Sequence, residues 1–361
     1  MSTQIEFGPE EELAAFRLID LALAEDLGLV SLGAVPAPVD LNPIKVGASI
    51  GPIDLSGTFS MTTLDPSLDY LTVPPKHNME RDLTCAALVD PEAWATIDVV
   101  IRREGVLAGT PVAELVFPQL EHVNWGTLIT DGSTVRPGDV IARVSGPLRS
   151  LLIGERTALN FLMHLSGVAT QTRRYVDAVS GTKAVILDTR KTLPGWRLLE
   201  KYAVRCGGGM NHRMGLSDGV LIKDNHLAAW AATGDAAAGG SESHSIAAAV
   251  RQARSWMQQQ RVPDPGKVSI EVEVDTLEQL RDALAGSPDI VLLDNMGPPQ
   301  LRDAVRLRDE LARSVLLEAS GGITLANVRE IAECGVDRIS IGALTHSAPA
   351  LDIAFDWHVG L

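Results

Sequence analysis

The chain has 361 residues, 45% hydrophobic and 21% charged, with a formal net charge of −15, which is enough for two domains and an ordinary globular composition. So acidic a balance argues against a nucleic-acid partner, whose phosphates need cations spread over a broad face. Cys85, Cys206 and Cys334 are too far apart for a metal-ligand spacing or a disulfide framework. No run of eighteen apolar residues could span a membrane, and the early glutamates Glu6, Glu10, Glu11 and Glu12 are the wrong charge for a leader, so a cytoplasmic protein is expected.

In chain order, the spacing of Leu13, Phe16, Leu18, Leu21 and Leu23 predicts an amphipathic helix over 10–28. Residues 29–79 hold seven prolines and four glycines and read as a loop-rich insertion. Ala95–Ile101, Val106–Gly109 and Val140–Val144, with turn signals at Asp131-Gly132 and Pro137-Gly138, predict a small sheet. Leu152 to Val179 has helical periodicity. Six apolar strands follow, Ala184–Asp188, Gly219–Ile222, Val268–Val274, Ile290–Leu293, Val315–Glu318 and Arg338–Ile341, with helices such as Thr276–Ala285, Pro299–Ala312 and Thr324–Cys334 between most of them. That alternation implies parallel pairing through right-handed crossovers. An open doubly wound sheet and an incomplete barrel both fit it.

The polar residues favour the barrel. Asp188-Thr189-Arg190-Lys191, Lys223-Asp224-Asn225-His226, Glu271 and Glu273, Asp294-Asn295, Ser320-Gly321-Gly322 and Gly342 each fall at a strand's carboxyl end, where α/β barrels build their sites. Charges also mark strands emerging into solvent, but six such ends suggest one pocket. Ser320-Gly321-Gly322 ahead of Thr324 and a helix offers backbone amides to a phosphate, and Gly342 offers a second close approach. Glu273 and Asp294 suit a hard divalent cation such as Mg²⁺. Arg190, Lys191, His212, Arg213 and Lys223 are cations that repel one another unless an anion lies between them.

Six runs, GERTALNFLMHLSGVAT (154–170), DTRKTLPGWRLLEKYAVRCGGGMNHRMGLSDGVLIKDNH (188–226), IEVEVD (270–275), LLDN (292–295), EASGG (318–322) and IGALTHS (341–347), resemble quinolinate phosphoribosyltransferases. The resemblance implies an N-terminal α/β sandwich-like domain, here 1–149 with the insertion, beside an incomplete, open-faced α/β barrel at 150–346, with the tail 347–361 returning to the first domain. It implies a homodimer, sometimes assembled further, whose active site is shared across the interface. Arg190, His212, Arg213 and Lys223 would then hold the two quinolinate carboxylates, and Arg156 would reach the neighbouring subunit's site. Lys191 would meet phosphoribosyl pyrophosphate, Glu273 and Asp294 the Mg²⁺ and the ribose or pyrophosphate, and Ser320, Gly321, Gly322 and Gly342 the 5′-phosphate, with Asn295 and His346 close by. Lys191, Glu273 and Asp294 would be the catalytic set, and nicotinate mononucleotide, pyrophosphate and carbon dioxide the products.

The family pattern breaks at 29–79, which intervene before Glu80-Arg81-Asp82-Leu83-Thr84. Two other readings remain open at this level. A related transferase could take nicotinate, although one carboxylate would leave part of the cationic cluster idle. A non-catalytic phosphate-binding barrel would leave Lys191, Glu273 and Asp294 without a role.

Overall fold

A computed structural model describes residues 5–27, 81–120, 123–233, 245–260 and 268–358. The expected insertion at 29–79 lies outside the described residues. The first helix, α1 (Pro9–Asp26), opens on a proline and three glutamates and buries Ala15, Ile19 and Leu23, which are spaced four apart on one face. Next come α2 (Leu83–Leu88), β1 (Trp94–Ile101), β2 (Gly105–Val106), α3 (Thr110–Val116), β3 (Asn124–Thr127), β4 (Thr134–Val135) and β5 (Val140–Pro147). The strand expected to resume at 106 stops after Val106. Gly109, at φ +98°, turns the chain into α3 instead, and Asp131 accepts hydrogen bonds from the amides of Gly109 (2.6 Å) and Thr110 (3.2 Å).

A 31-residue helix, α4 (Leu148–Ala178), follows. At 1.5 Å per residue it is about 46 Å long, long enough to pack on α3 and β5 at one end and on the barrel at the other. Gly154 lets Phe117 close on it, since a Cβ there would lie 2.7 Å from the Phe117 ring.

The remaining elements are β6 (Val185–Leu187), α5 (Arg197–Cys206), β7 (Val220–Ile222), α6 (Asp224–Thr233), α7 (Ile246–Gln259), β8 (Ile270–Val274), α8 (Leu277–Ala285), β9 (Ile290–Asp294), α9 (Pro298–Leu311), β10 (Leu316–Ser320), α10 (Val328–Glu333), β11 (Arg338–Ser340), α11 (Ala343–His346) and β12 (Ile353–His358). Six strands pair in parallel in the order β6-β11-β10-β9-β8-β7, forming the incomplete, open-faced barrel that the polar strand ends favoured. The sheet stays open between β6 and β7, where the chain at Met210 makes a single parallel bridge to Leu187. A second, antiparallel sheet runs β12-β1-β5-β3. Its outer strand β12 comes from the chain's end and pairs with β1 from Thr96↔His358 to Ile101↔Ile353.

One expected bound shifts. The helix expected at Thr324–Cys334 begins at Val328, because Asn327 accepts from the Thr324 amide (2.7 Å) and donates to the Gly322 carbonyl (3.0 Å), closing a turn first. The glycine loop therefore does not lead straight into a helix. In addition, 197–206 forms a helix that the strand-and-loop reading did not name; its Leu199, Tyr202, Ala203 and Cys206 are buried.

Candidate active site

The carboxyl ends of all six parallel strands open on one side. Register places the ends side by side: Ser320 pairs with Asp294, Glu273 with Leu292, and Ser340 with Leu187. Lys223, just past β7, forms an ion pair with Glu273.

The loop from β6 carries Arg190 and Lys191 and is fixed from below. Glu200, fully buried on α5, accepts from the Leu193 amide (3.1 Å) and meets His164 of α4 (2.9 Å). Trp196 stacks on Phe161 with ring centroids 4.8 Å apart. Asp188 does not face the pocket, as its strand-end position suggested. It is fully buried in an ion pair with Lys201, also fully buried. Its carboxylate accepts from the His212 amide (2.9 Å), while Lys201 donates to the His212 carbonyl (3.1 Å). Paired and hydrogen-bonded in this way, two buried charges are tolerated, and they clamp the turn that carries His212 and Arg213.

The His212 ring reaches into the barrel, with Nε2 3.0 Å from Glu271 and 3.4 Å from Glu318. Burial pushes its pKa down, but the hydrogen bonds and charges of the two carboxylates outweigh it and raise the histidine to about 9. In the neutral ring, Nδ1 accepts from the Arg213 amide (2.8 Å). The charged ring has a proton on Nδ1 instead and turns that edge into a donor.

Arg190 and Arg213 form a like-charge pair. Burial and then Arg190 push the Arg213 pKa down, and the Arg190 Nε is buried with no partner among the described residues. Two guanidiniums held this close, one with an unmet donor, describe a bidentate anion site.

Lys191 lies under the last strand. A Cβ on Gly342 would come within 2.9 Å of the Lys191 side chain and 3.1 Å of His346 Nε2, so the glycine lets all three converge. Thr345 secures the backbone by donating to the Lys191 carbonyl (2.8 Å). At the neighbouring loop, Gly321 has φ +89° and its missing Cβ would lie 2.1 Å from Asn295 Oδ1. Asn295 itself is left-handed (φ +54°), donates its backbone amide to the Ser320 carbonyl (2.9 Å), and donates from its side chain to Asp294 (2.7 Å). Burial, then Glu273 and Asp275, raise the Asp294 pKa. Crowded carboxylate oxygens of this kind fit a small, hard divalent cation, which would relieve their repulsion.

The family models for the N-terminal and C-terminal domains of quinolinate phosphoribosyl transferase match residues 82–166 and 168–356. A nicotinate-nucleotide pyrophosphorylase [carboxylating] from Mycobacterium leprae is 45% identical over 278 residues, covering 76% of this chain and 90% of that protein. The chain belongs to the quinolinate phosphoribosyltransferase family. Among solved structures, the nicotinate-nucleotide pyrophosphorylase of Francisella tularensis is 32% identical with a TM-score of 0.71, covering 99% of this chain and all of that one. The enzyme of the same name from Ehrlichia chaffeensis is 35% identical with a TM-score of 0.64, covering 77% and 92%.

The structure brings the expected site residues together in three groups: Arg190 with Arg213 and His212, Lys223, Glu273, Asp294 and Asn295 with Ser320 and Gly321, and Lys191 with Gly342 and His346. Arg156 stands apart, exposed on α4 and tied to these groups by no contact among the described residues. Sequence reasoning missed the supporting groups: Lys201, Glu200, Glu318 and Arg338. Only Glu318 had a signal, its acidic residue within an otherwise apolar strand.

Proposed function

We propose that the protein transfers the phosphoribosyl group of phosphoribosyl pyrophosphate to quinolinate with loss of carbon dioxide, giving nicotinate mononucleotide and pyrophosphate. The observation that supports this most is that a chain of net charge −15 sets Arg190 against Arg213, and carries Lys223 with the Glu273–Asp294 pair on the ends of neighbouring strands of the same barrel. A dianionic acid satisfies such a cluster, whereas a monoanion leaves part of it unpaired.

Arg190 and Arg213 hold the carboxylates as forks, and His212 sets the turn that carries Arg213. Lys191, beside Gly342 and His346, meets the phosphoribosyl donor. The amides of Gly321, Gly322 and Gly342 face the 5′-phosphate, with Ser320 and Asn295 shaping that loop. Glu273 and Asp294 would hold Mg²⁺, which supplies charge neutralisation to the departing pyrophosphate. The pyridine nitrogen needs no base to attack, so positioning does most of the work. Once the ring is quaternised, its cation stabilises the carbanion left when the 2-carboxylate departs. Lys223 pairs with Glu273 when no substrate is bound and turns to the substrate carboxylate when it is.

We read the working form as a homodimer in which Arg156 enters the neighbour's site. An exposed arginine that forms no ion pair among the described residues supports this, as do the exposed Leu83, Leu88 and Trp94 beside the antiparallel sheet. A cytoplasmic location goes with three free, buried cysteines and with no described helix long and apolar enough to cross a membrane. The test offers quinolinate and nicotinate in separate reactions with phosphoribosyl pyrophosphate and Mg²⁺. Nicotinate mononucleotide and carbon dioxide should arise from quinolinate alone; turnover of nicotinate, or of neither, rejects the substrate assignment.

A further inference from the structure

Behind the substrate cations lies a second layer of charge that the proposed reaction does not itself use. Glu271 on β8 is 2% exposed and Glu318 on β10 is fully buried, although two unpaired carboxylates in a barrel interior would be strongly destabilising. Both turn toward His212 Nε2, at 3.0 and 3.4 Å. Arg338, at the start of β11, donates to the far oxygen of Glu318 (2.7 Å), and Ser340 on the same strand face also bonds that carboxylate. Arg338 and the Nε2 proton of His212 are the donors that face the two acids. Glu271 Oε1 has no hydrogen-bond partner among the described residues, and Glu318 Oε1 makes no hydrogen bond and faces the His212 ring at 3.4 Å, so neither carboxylate is saturated by the barrel wall. What they share is the imidazole.

The three ligand-type atoms of His212, Glu271 and Glu318 lie within 4.8 Å of one another, which would also suit a metal ion. The histidine's other edge argues against that reading. A metal-bound imidazole donates from its second nitrogen to a carboxylate, carbonyl or water, whereas Nδ1 here faces the Arg213 amide, itself a donor, at 2.8 Å. A ring bound to metal through Nε2 would set an N–H against an N–H. A proton on Nε2, shared with the two carboxylates, leaves Nδ1 free to accept and raises no such conflict.

We infer that Glu271 and Glu318, the latter braced by Arg338, are positioning residues that hold the His212 ring by Nε2 and thereby fix the Arg213 amide and guanidinium in the anion pocket. The backbone geometry reinforces this. The His212 amide and carbonyl are already clamped by Asp188 and Lys201, so the ring is the remaining degree of freedom in the turn. Arg213 follows directly and donates to the Gly219 carbonyl at 2.9 Å, which holds its guanidinium beside the start of β7. Losing the grip on Nε2 frees the ring to rotate, and the Arg213 amide loses its acceptor. The phosphate-facing loops at Gly321 and Gly342 share no hydrogen bond with this network among those described.

This inference deepens the proposed reading and rests on it for the substrate, so its test has one arm that does not need turnover. Glu271→Gln and Glu318→Gln keep the shape of the side chains and remove the charge. In protein with ¹⁵N-labelled histidine, the His212 ring signals, assigned by their loss in His212→Gln, should place a slowly exchanging proton on Nε2. Both variants should speed that exchange and shift both ring nitrogens. In steady-state kinetics each variant should raise the KM for quinolinate about tenfold or more, the scale of one hydrogen bond to a charged group, with the KM for phosphoribosyl pyrophosphate within about twofold of the parent's, also reporting that the variant is folded. Ring signals identical in parent and both variants would overturn the inference, as would equal rises in both KM values. Were the parent not to use quinolinate at all, the substrate reading would fall while the ring spectra still decided the positioning role. Zn²⁺ that binds the parent stoichiometrically, is lost in both variants and moves the His212 nitrogens would overturn it in favour of a metal site.

Discussion

Gly321 and Gly322 are neighbours in sequence and both have positive φ, yet their surroundings differ. A Cβ at 321 would meet Asn295 Oδ1 at 2.1 Å and its backbone nitrogen at 3.0 Å; at 322 it would meet nothing within 4 Å. Gly322→Ala therefore carries only the left-handed backbone cost of ~1 kcal/mol. Gly321→Ala must also displace Asn295, whose own left-handed turn and bond to Asp294 set the rim of the site. The expected outcome is a KM for phosphoribosyl pyrophosphate raised at least about tenfold in Gly321→Ala, equivalent to roughly 1.4 kcal/mol, against a change within threefold in Gly322→Ala, read in parallel initial-rate assays. Equal effects would mean that the loop binds no phosphate. The sequence disclosed that a glycine pair stood at this strand end, but not which glycine was indispensable. That depends on Asn295, 26 positions away, and only strand pairing brings it near. The same holds for Arg190 and Arg213, legible as cations but not as a pair, and for Asp188, whose strand-end position looks catalytic until Lys201 is found buried against it.

At the scale of elements, the parallel strands were readable because each is a short apolar run ended by a turn, and a buried parallel strand leaves that pattern whatever its neighbours are. The helices α3 and α5 were not. One is seven residues long, opened by a glycine whose conformation depends on Asp131, and the other holds Glu200 and Lys201 on its buried face, which breaks the apolar stripe. The antiparallel sheet presents a different test. Asp98 on β1 bonds Arg143 of β5 (2.6 Å) and His358 of β12 (2.9 Å), joining three strands. Arg143, more than His358, draws its pKa down to about 2 from 3.8 despite burial. A carboxyl whose pKa is lower folded than unfolded contributes stability above the unfolded value, and loses it as pH falls toward the folded one. Between about pH 4 and pH 2 the parent should therefore lose stability through this group, whereas Asp98→Asn, already without the charge, should be less stable at pH 7 and show a flatter decline across that window. Urea midpoints at pH 7, 4 and 2.5 check it. Parallel curves for the two proteins would show that the three-strand junction does not depend on charge.

For the whole molecule, α4 runs through one continuous core that joins the antiparallel sheet to the barrel, and Arg156 sits on its exposed side. An arginine is costly to order and is seldom fixed without an anion to hold. The proposed homodimer supplies one, by bringing the barrel of the neighbouring subunit opposite α4. If each site takes Arg156 from one chain and Lys223 from the other, then Arg156→Ala and Lys223→Ala should each be nearly inactive alone. Mixed and allowed to exchange subunits at equal amounts, half the dimers become heterodimers, in which one of the two sites carries both substitutions and the other carries neither. Activity should thus recover toward roughly a quarter of the parent's, the share of intact sites expected from random pairing of closed two-fold dimers. The KM of the recovered activity should equal the parent's, because every active site is then an unaltered one. Recovery with an altered KM would place Arg156 near the site without sharing it, and no recovery despite subunit exchange verified by mass would confine the active site to one chain and leave the exposed arginine without a catalytic part.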